Sequence, residues 1–452
     1  MSRTLHLNVF IHGRGHHEAA WRHPRASTSS LTDIAYYENI AALAERGKFD
    51  SIFFADHLAI GRDVEHAARG GLEPLTTLAA LARATEHIGL IATASSTYTE
   101  PYNLARQFAS LDHISGGRVG WNIVTSWLKA TAANYGDSTQ IGHDERYDRA
   151  FEYLDVVSKL WDSWADNARV DDPAAGTYVD IARVRPIKHQ GRHYQVTGAL
   201  NIPRSPQGRP LLVQAGSSDK GRQFAATYAE AVFTAHLEKD TALAFSADLK
   251  ARAARLGRSP DHVLVLPGLS PVIGATEAEA NRLWQELNEL TVPAVGLAHL
   301  SARFGGADLS HLALDERLST TDLPDPATVQ GAQSRAELIH RLVERERPTL
   351  RSLLHTLAGG RGHFVTAGTP EQIADVIEDW FCSGAADGFN IMPPILPAVL
   401  EDFVEQVVPV LQQRGLFRRD YTERTLRGHY GLPRPENQYF ATPAEPTLAA
   451  RS

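Results

Sequence analysis

Eight short runs rich in β-branched and aromatic residues alternate with amphipathic helical stretches along the chain, and that alternation confines it to architectures built on a parallel sheet. The predicted strands are Leu5 to Ile11, Ser51 to Phe54, Ile88 to Ala92, Arg118 to Ile123, Leu211 to Gln214, Ala231 to Phe233, Val263 to Leu266 and Gly388 to Ile391. Between them apolar residues recur every three or four positions, which predicts helices at Ile34 to Arg46, Pro74 to Ala84, Tyr102 to Ile114, Glu145 to Ser163, Lys220 to Tyr228, Thr241 to Leu256 and Pro370 to Phe381. Glu73-Pro74 and Thr369-Pro370-Glu371 mark helix starts, because the N–H that proline lacks is not used in the first helical turn. At 452 residues the length alone fits either one elaborated barrel or two or three ordinary domains. The strand–helix repeat points to an α/β fold, a (β/α)8 barrel occupying residues 1–430.

Two stretches break the rhythm: Ala165 to Pro210, with an expected hairpin around His193-Tyr194-Gln195-Val196, and Thr276 to Gly362, helical at first and then loop-rich around Leu323-Pro324-Asp325-Pro326. In a barrel such insertions sit in loops, where recognition is built, and the second is the candidate lid. Residues 431–452 are proline- and alanine-rich without a core period and read as an extended arm on the surface or on a neighbouring subunit. The arm and the outward-facing barrel helices make a homodimer or homotetramer the expectation.

Composition removes several classes of function. No stretch approaches the ~20 apolar residues that span a bilayer, and the N-terminus has no basic segment followed by an apolar run, so a cytoplasmic protein with no membrane partner is expected. A formal charge of −8 argues against nucleic acid, which needs a concentrated basic face. With Cys382 the only cysteine, neither an internal disulfide nor a multi-cysteine metal site can form.

Active sites of such barrels lie at the C-terminal ends of the strands, so the polar residues there are the ones to inspect. Ala55-Asp56-His57-Leu58 follows the second strand, Ser95-Ser96-Thr97-Tyr98 the third, Asn122 to Ser126 closes the fourth, and Ala215-Gly216-Ser217-Ser218-Asp219 follows the fifth, directly before a helix. Small residues at a helix start let backbone N–H groups and the positive helix end meet a phosphate, although Ser and Asp favour helix starts whether or not anything binds. His143 and Tyr147 are four apart and share one helix face, where they could grip one ligand; the surrounding Asp144, Arg146 and Asp148 could equally form a solvated face. Asn122 could hydrogen-bond a heterocycle or serve a turn. Asp56 and His57 point apart along an extended chain and do not form a dyad. Phe10, Phe53, Phe54, Trp121 and Trp127 fit core packing better than a pocket.

The order of these segments resembles the bacterial-luciferase-like flavin monooxygenases, within them the group of nitrilotriacetate monooxygenase component A, dibenzothiophene sulfone monooxygenase and pristinamycin IIA synthase. The matching segments include Ala55-Asp56-His57-Leu58, Glu73-Pro74-Leu75, the run from Thr93 to Tyr98, Asp112-His113-Ile114-Ser115-Gly116-Gly117-Arg118, Trp121 to Ser126, His143 to Tyr147, Gln214 to Ser218, Gly368 to Ala374, Asp387 to Ile391 and Arg414-Gly415-Leu416-Phe417. The resemblance implies a luciferase-like TIM barrel that takes FMN as FMNH2 from a separate NAD(P)H-dependent flavin reductase. It further implies that O2 is used through a flavin hydroperoxide to oxygenate or cleave a small molecule such as a sulfone, a sulfide or an aminopolycarboxylate. Asp56, Ser96, Asn122, His143, Tyr147, Ser217 and Ser218 would contact FMN, the two serines at its phosphate. His143 is the first candidate for a catalytic hydrogen bond at the reactive edge of the ring and His363 the second.

Three other readings remain open at this point. One is a deazaflavin- or flavin-dependent oxidoreductase of the same superfamily without oxygen insertion. Another is a metal-dependent hydrolase using His12, His16 and His17, although no other strand end supplies ligands and no metal is expected. The third is a flavin-binding barrel without catalysis. The pocket arginines an acidic substrate would require cannot be assigned among Arg204, Arg209 and Arg303 from the sequence.

Overall fold

The computed structural model describes residues 3–126, 128–137, 141–329 and 333–440. Eight parallel strands form a closed ring: β1 His6–Ile11, β2 Ser51–Phe54, β3 Gly89–Ser95, β4 Val119–Val124, β5 Leu211–Gln214, β6 Ala231–Thr234, β7 Leu264–Ile273 and β8 Gly388–Ile391. Each pairs with the next, β6 with β7 through Ala231↔Leu264 to Thr234↔Pro267, and β1 closes on β8 with Asn8 opposite Asn390. These strands are buried along their length, which is why they read as continuous apolar runs without alternation.

The barrel interior is a packed core. Phe10 meets Phe53 and Phe233 edge-on, at centroid separations of 4.7 and 5.4 Å, and Ile91, Val213, Leu266 and Met392 fill the remaining space. Leu426, Tyr430 and Leu432 close the lower end, so the barrel opens only where the strands end. A side chain on Gly89 would lie 2.3 Å from the Leu426 side chain; only glycine admits the plug.

The helices Ile34–Arg46, Pro74–Ala84, Pro101–Ile114, His143–Trp161, Asp219–Tyr228, Lys239–Arg255 and Pro370–Cys382 occupy the expected segments within two residues at either end. None of the described helices is long and apolar enough to cross a membrane. The strand predicted to stop at Leu266 instead runs to Ile273, through Pro267 and Pro271. Proline removes a ladder donor, but Pro267 lies where the strand changes partner: up to that residue it pairs with β6, and from Leu269 it pairs with a ninth strand, Phe364–Gly368, outside the ring.

Between those two paired segments lies the second insertion, more helical than its sequence suggests. It holds four helices, of which Pro293–Arg303, Gln333–Glu346 and Leu350–Gly360 surround a separate apolar core including Leu300, Phe304, Leu318, Ile339, Val343 and Leu353, whereas Glu277–Glu289 packs Leu283 and Leu287 into the main core of the barrel. The first insertion folds into two hairpins, Arg169–Asp172 with Thr177–Val179 and His189–Gln190 with Gln195–Val196. Residues 431–440 lie against this insertion, with Arg434 paired to Asp166 and the Asn437 side chain donating to the Trp164 carbonyl at 2.7 Å. Residues 441–452 of the arm lie outside the described residues.

Buried charge knits the lower end. Arg118 donates to the carbonyls of Ala82, Thr85, Ile88 and Ser115 at 2.7–3.0 Å, joining two helix ends to the starts of β3 and β4. The segment Asp112 to Arg118 therefore serves the scaffold. Arg427 pairs with Glu230, whose carboxylate also accepts from the Leu212 N–H at 3.0 Å, and so ties the plug to β5. Burial opposes the Glu230 charge, but Arg427 outweighs it and brings the pKa from 4.5 down to about 2. Because the folded-state pKa is the lower one, this stabilisation is complete above the unfolded value and is lost as pH falls towards about 2. Glu230→Gln leaves Arg427 uncompensated. It is expected to destabilise the fold by about 3–5 kcal/mol in urea at neutral pH and to flatten the loss of stability between pH 5 and 2.

Candidate active site

At the upper end of the ring, polar side chains from several strands converge. The most organised corner is at β5. Gln214 ends the strand, Ala215 to Ser217 turn the chain, and Ser218 caps the helix Asp219–Tyr228, its hydroxyl accepting from the Gly221 N–H at 3.1 Å. Capping is thus real, yet the same hydroxyl lies 3.4 Å from His143 Nε2. His143 and Tyr147 stand on the neighbouring helix with ring centroids 5.1 Å apart, and Lys220 pairs with Asp144 at 3.2 Å to hold the two helix starts together. Backbone and side chains are tightly apposed at this corner: a Cβ on Gly216 would fall 2.3 Å from Gln214 Nε2 and 2.7 Å from the Tyr147 hydroxyl.

Across the mouth, Asn122 on β4 donates to the Thr93 hydroxyl at 2.8 Å. Ser96, after β3, is buried and bonded to the Val124 carbonyl. Ser126, after β4, adopts φ +36°, an unusual backbone for a non-glycine residue, and donates to Ser95 at 2.8 Å. Asp56, after β2, accepts from the His57 N–H at 2.8 Å; burial, with a smaller push from Glu73, raises its pKa.

Asn122 Oδ1 and Gln214 Oε1 are buried without a hydrogen-bond partner. Leaving such an acceptor unsatisfied costs about 1–3 kcal/mol, which a donor on a ligand seated in this mouth would recover. An uncharged heterocycle bearing N–H groups and a terminal phosphate suits this donor set: amide acceptors on β4 and β5, and serines at a helix start.

His363 precedes the ninth strand and stacks on Phe233 at 4.8 Å with the ring planes 3° apart. Arg335 Nη2 donates to His363 Nε2 at 3.0 Å, which leaves the proton of the neutral ring on Nδ1. Burial holds His363 and His12 well below the usual imidazole range and lowers His236 to about 4 and His16 to about 3, so these four rings are uncharged near neutrality.

The seven residues expected to meet a cofactor thus fall into two groups. Tyr147, His143 and Ser218 are in mutual contact beside Ser217, while Asp56 and Ser96 follow β2 and β3 and Asn122 stands on β4. Of the two histidines singled out for catalysis, His143 is bonded to Asp144 at 3.0 Å and partly exposed, whereas His363 is buried. Ser217 and His363 line one cavity. His12 and His16 are neighbours at 5.4 Å, but His17 turns away to Asn288, and no metal-holding group of three His, Cys, Asp or Glu occurs among the described residues. Phe10 and Phe53 fill the barrel, Phe54 and Trp121 belong to the layer between strands and helices, and Trp127 lies outside the described residues. Arg204 is bound to Asp162 at 2.9 Å near the arm, far from the role an acidic substrate would require.

Sequence reasoning missed Gln214, Thr234, His236 and Arg335. Thr234 ends β6 and His236 follows it, so inspecting strand ends around the whole ring would have found two of them. Arg335 lies on a charge-rich helix of the insertion, where nothing in its neighbours distinguishes it from a solvated residue.

The luciferase-like monooxygenase family model matches residues 14–387. The chain is 46% identical to nitrilotriacetate monooxygenase component A of Aminobacter aminovorans, covering 96% of this chain and 98% of that one. It is 44% identical to N-acetyl-S-(2-succino)cysteine monooxygenase of Bacillus subtilis (strain 168), with 97% and 98% covered. A crystal structure of riboflavin lyase with modified FMN and its substrate riboflavin superposes with a TM-score of 0.83 at 31% identity, covering 95% of this chain and 96% of that one. With its eight-stranded barrel and mouth of strand-end polar residues, the chain belongs to the luciferase-like monooxygenase family.

Proposed function

We propose that this protein is the oxygenase component of a two-component system, binding FMN in reduced form from a separate NAD(P)H-dependent flavin reductase and oxygenating a small organic molecule. The observation that carries the cofactor assignment is the β5 corner, where the capped helix start, the close-packed Gly216 and the orphaned Gln214 acceptor occur together. A relative at 46% identity bears the name of one component of a monooxygenase, which supports a separate reducing partner. Reduced FMN, when bound, supplies the two electrons with which O2 is split between an oxygenated product and water.

The work of the chain is to hold and shield. Ser217, Ser218 and the N–H groups of the helix start would take the phosphate, with Tyr147 and His143 beside it. Asn122 and Gln214 would accept from the ring system, and Asp56 and Ser96 would line its far side. His363 stays uncharged and stacked on Phe233, fixed in one tautomer by Arg335, and would present its ring to the cavity with the Nδ1 proton turned to β7 at Gly268. Phe10, Phe53 and Phe233 floor the mouth with apolar surface that excludes water.

Two measurements test this. Ser217→Ala is expected to weaken FMN binding by about 10-fold to 100-fold in a fluorescence titration while leaving Tm unchanged, as the loss of a hydrogen bond to a charged group predicts. Ser218→Ala should weaken it similarly and also lose about 1 kcal/mol of stability, because that serine caps the helix. Unchanged affinity in both variants would place the phosphate elsewhere. In the second, the protein is given FMN, NADH, a flavin reductase and 18O2 with a panel of sulfones, sulfides and aminopolycarboxylates. One labelled oxygen atom should enter a product by mass; peroxide as the sole product with every compound would overturn the assignment.

A further inference from the structure

The helix Gln333–Glu346 of the second insertion roofs part of the mouth and, with the ends of β5 and β6, encloses a cavity of about 380 Å³. Ser217, Phe233, Thr234, His236, Arg335 and His363 line it. One of the five donors of Arg335 is spent on His363, Nη1 is buried without a partner, and no carboxylate forms an ion pair with this guanidinium among the described residues. Arg303, at the end of the helix Pro293–Arg303, adds a like charge close by. Burial lowers Arg335 to about 9 and Arg303 to about 10, so both remain cations at neutral pH.

Acidic groups nearby offset them only in part. Glu18 is the carboxylate felt by Arg303, and it accepts from His299 Nδ1 at 3.0 Å. Glu337 lines the rim on an exposed position, as does Arg341, and Arg222 on the opposite wall is taken by Asp248 at 2.7 Å. Two neighbouring buried guanidinium groups are unfavourable together, and such an arrangement is retained where an anion completes it. A guanidinium matches a carboxylate through two parallel N–H donors, and the uncharged imidazoles of His236, held between the Thr234 and Thr241 hydroxyls, and of His363 line the cavity without adding negative charge.

We propose that Arg335, backed by Arg303, binds a carboxylate of the substrate, so that the molecule oxygenated here is a small carboxylic acid and not a neutral sulfone or alkane. This rests on the reading of the mouth as the oxygenation site. Two sources could supply the anion, the substrate and the cofactor phosphate. Ser217 of the phosphate corner lines the same cavity, but Arg335 is hydrogen-bonded to His363 and, among the described residues, to none of that corner, which favours the substrate.

Calorimetric titration of the full chain, with and without saturating FMN, separates the possibilities using succinate, its uncharged dimethyl ester and FMN itself. Succinate is expected to bind and the ester is not. Arg335→Gln should weaken succinate at least about tenfold, and Arg335→Lys should restore only part of the loss, since it keeps the charge without the fork. Neither variant should lower Tm, because the buried like-charge repulsion is relieved by the first and not increased by the second. FMN affinity should stay within about twofold of the parent. No succinate binding, equal binding of the ester, or indifference to Arg335→Gln would overturn the proposal, as would FMN and succinate affinities falling together. If succinate binding depends on Arg335 while FMN does not bind at all, the carboxylate site stands and the flavin reading fails.

Discussion

Ring closure between β6 and β7 is the constraint from which the site follows. Once Ala231 to Thr234 pair in register with Leu264 to Pro267, all eight strands run the same way around one axis, and every strand end delivers its next residues to the same rim. Asp56, Ser96, Asn122, Gln214 and Thr234 belong to segments far apart in sequence, and a common direction of travel is what gathers them. The aromatic packing of Phe10, Phe53 and Phe233 fills the cylinder beneath, so that polar groups at the rim stand on an apolar floor.

The two ends of the cylinder divide the labour. Below, charges are paired and backbone carbonyls are saturated: Arg118 serves four of them and Arg427 meets Glu230. Above, Asn122 and Gln214 keep lone acceptors, Ser126 holds an unfavourable φ, and Arg335 carries an unmatched charge. Folding alone gains nothing from such groups; buried unpartnered atoms also occur below, at Asp112 Oδ2 and Arg427 Nε, but there they sit within the scaffold's own charge networks, whereas at the mouth they stand beside a cavity.

Much of this was legible in the residues. The eight strand segments and seven of the helices follow from periodicity, because a parallel barrel buries its strands on both faces and gives its helices one apolar stripe. The β5 corner was visible as small residues before a helix, though the sequence could not show that Ser218 both caps and faces His143. Prolines at 267 and 271 concealed the second half of β7, since the partner that makes that strand viable lies some ninety residues away. The pairing of Arg335 with His363 was equally hidden, because it depends on how an insertion folds back, and local pattern carries no record of that.

The way the insertion is rooted has its own consequence. It leaves the barrel from the end of β7 and returns through the adjacent ninth strand, so its two feet stand side by side on a ladder that runs from Leu269↔Phe364 to Ile273↔Gly368. Its last three helices have an apolar core of their own, while Leu283 and Leu287 of the first pack into the barrel's. The outer three helices of a module anchored in this manner can be remodelled while the first keeps its place on the cylinder. Sequence change can therefore accumulate above the mouth while the ring underneath keeps its packing.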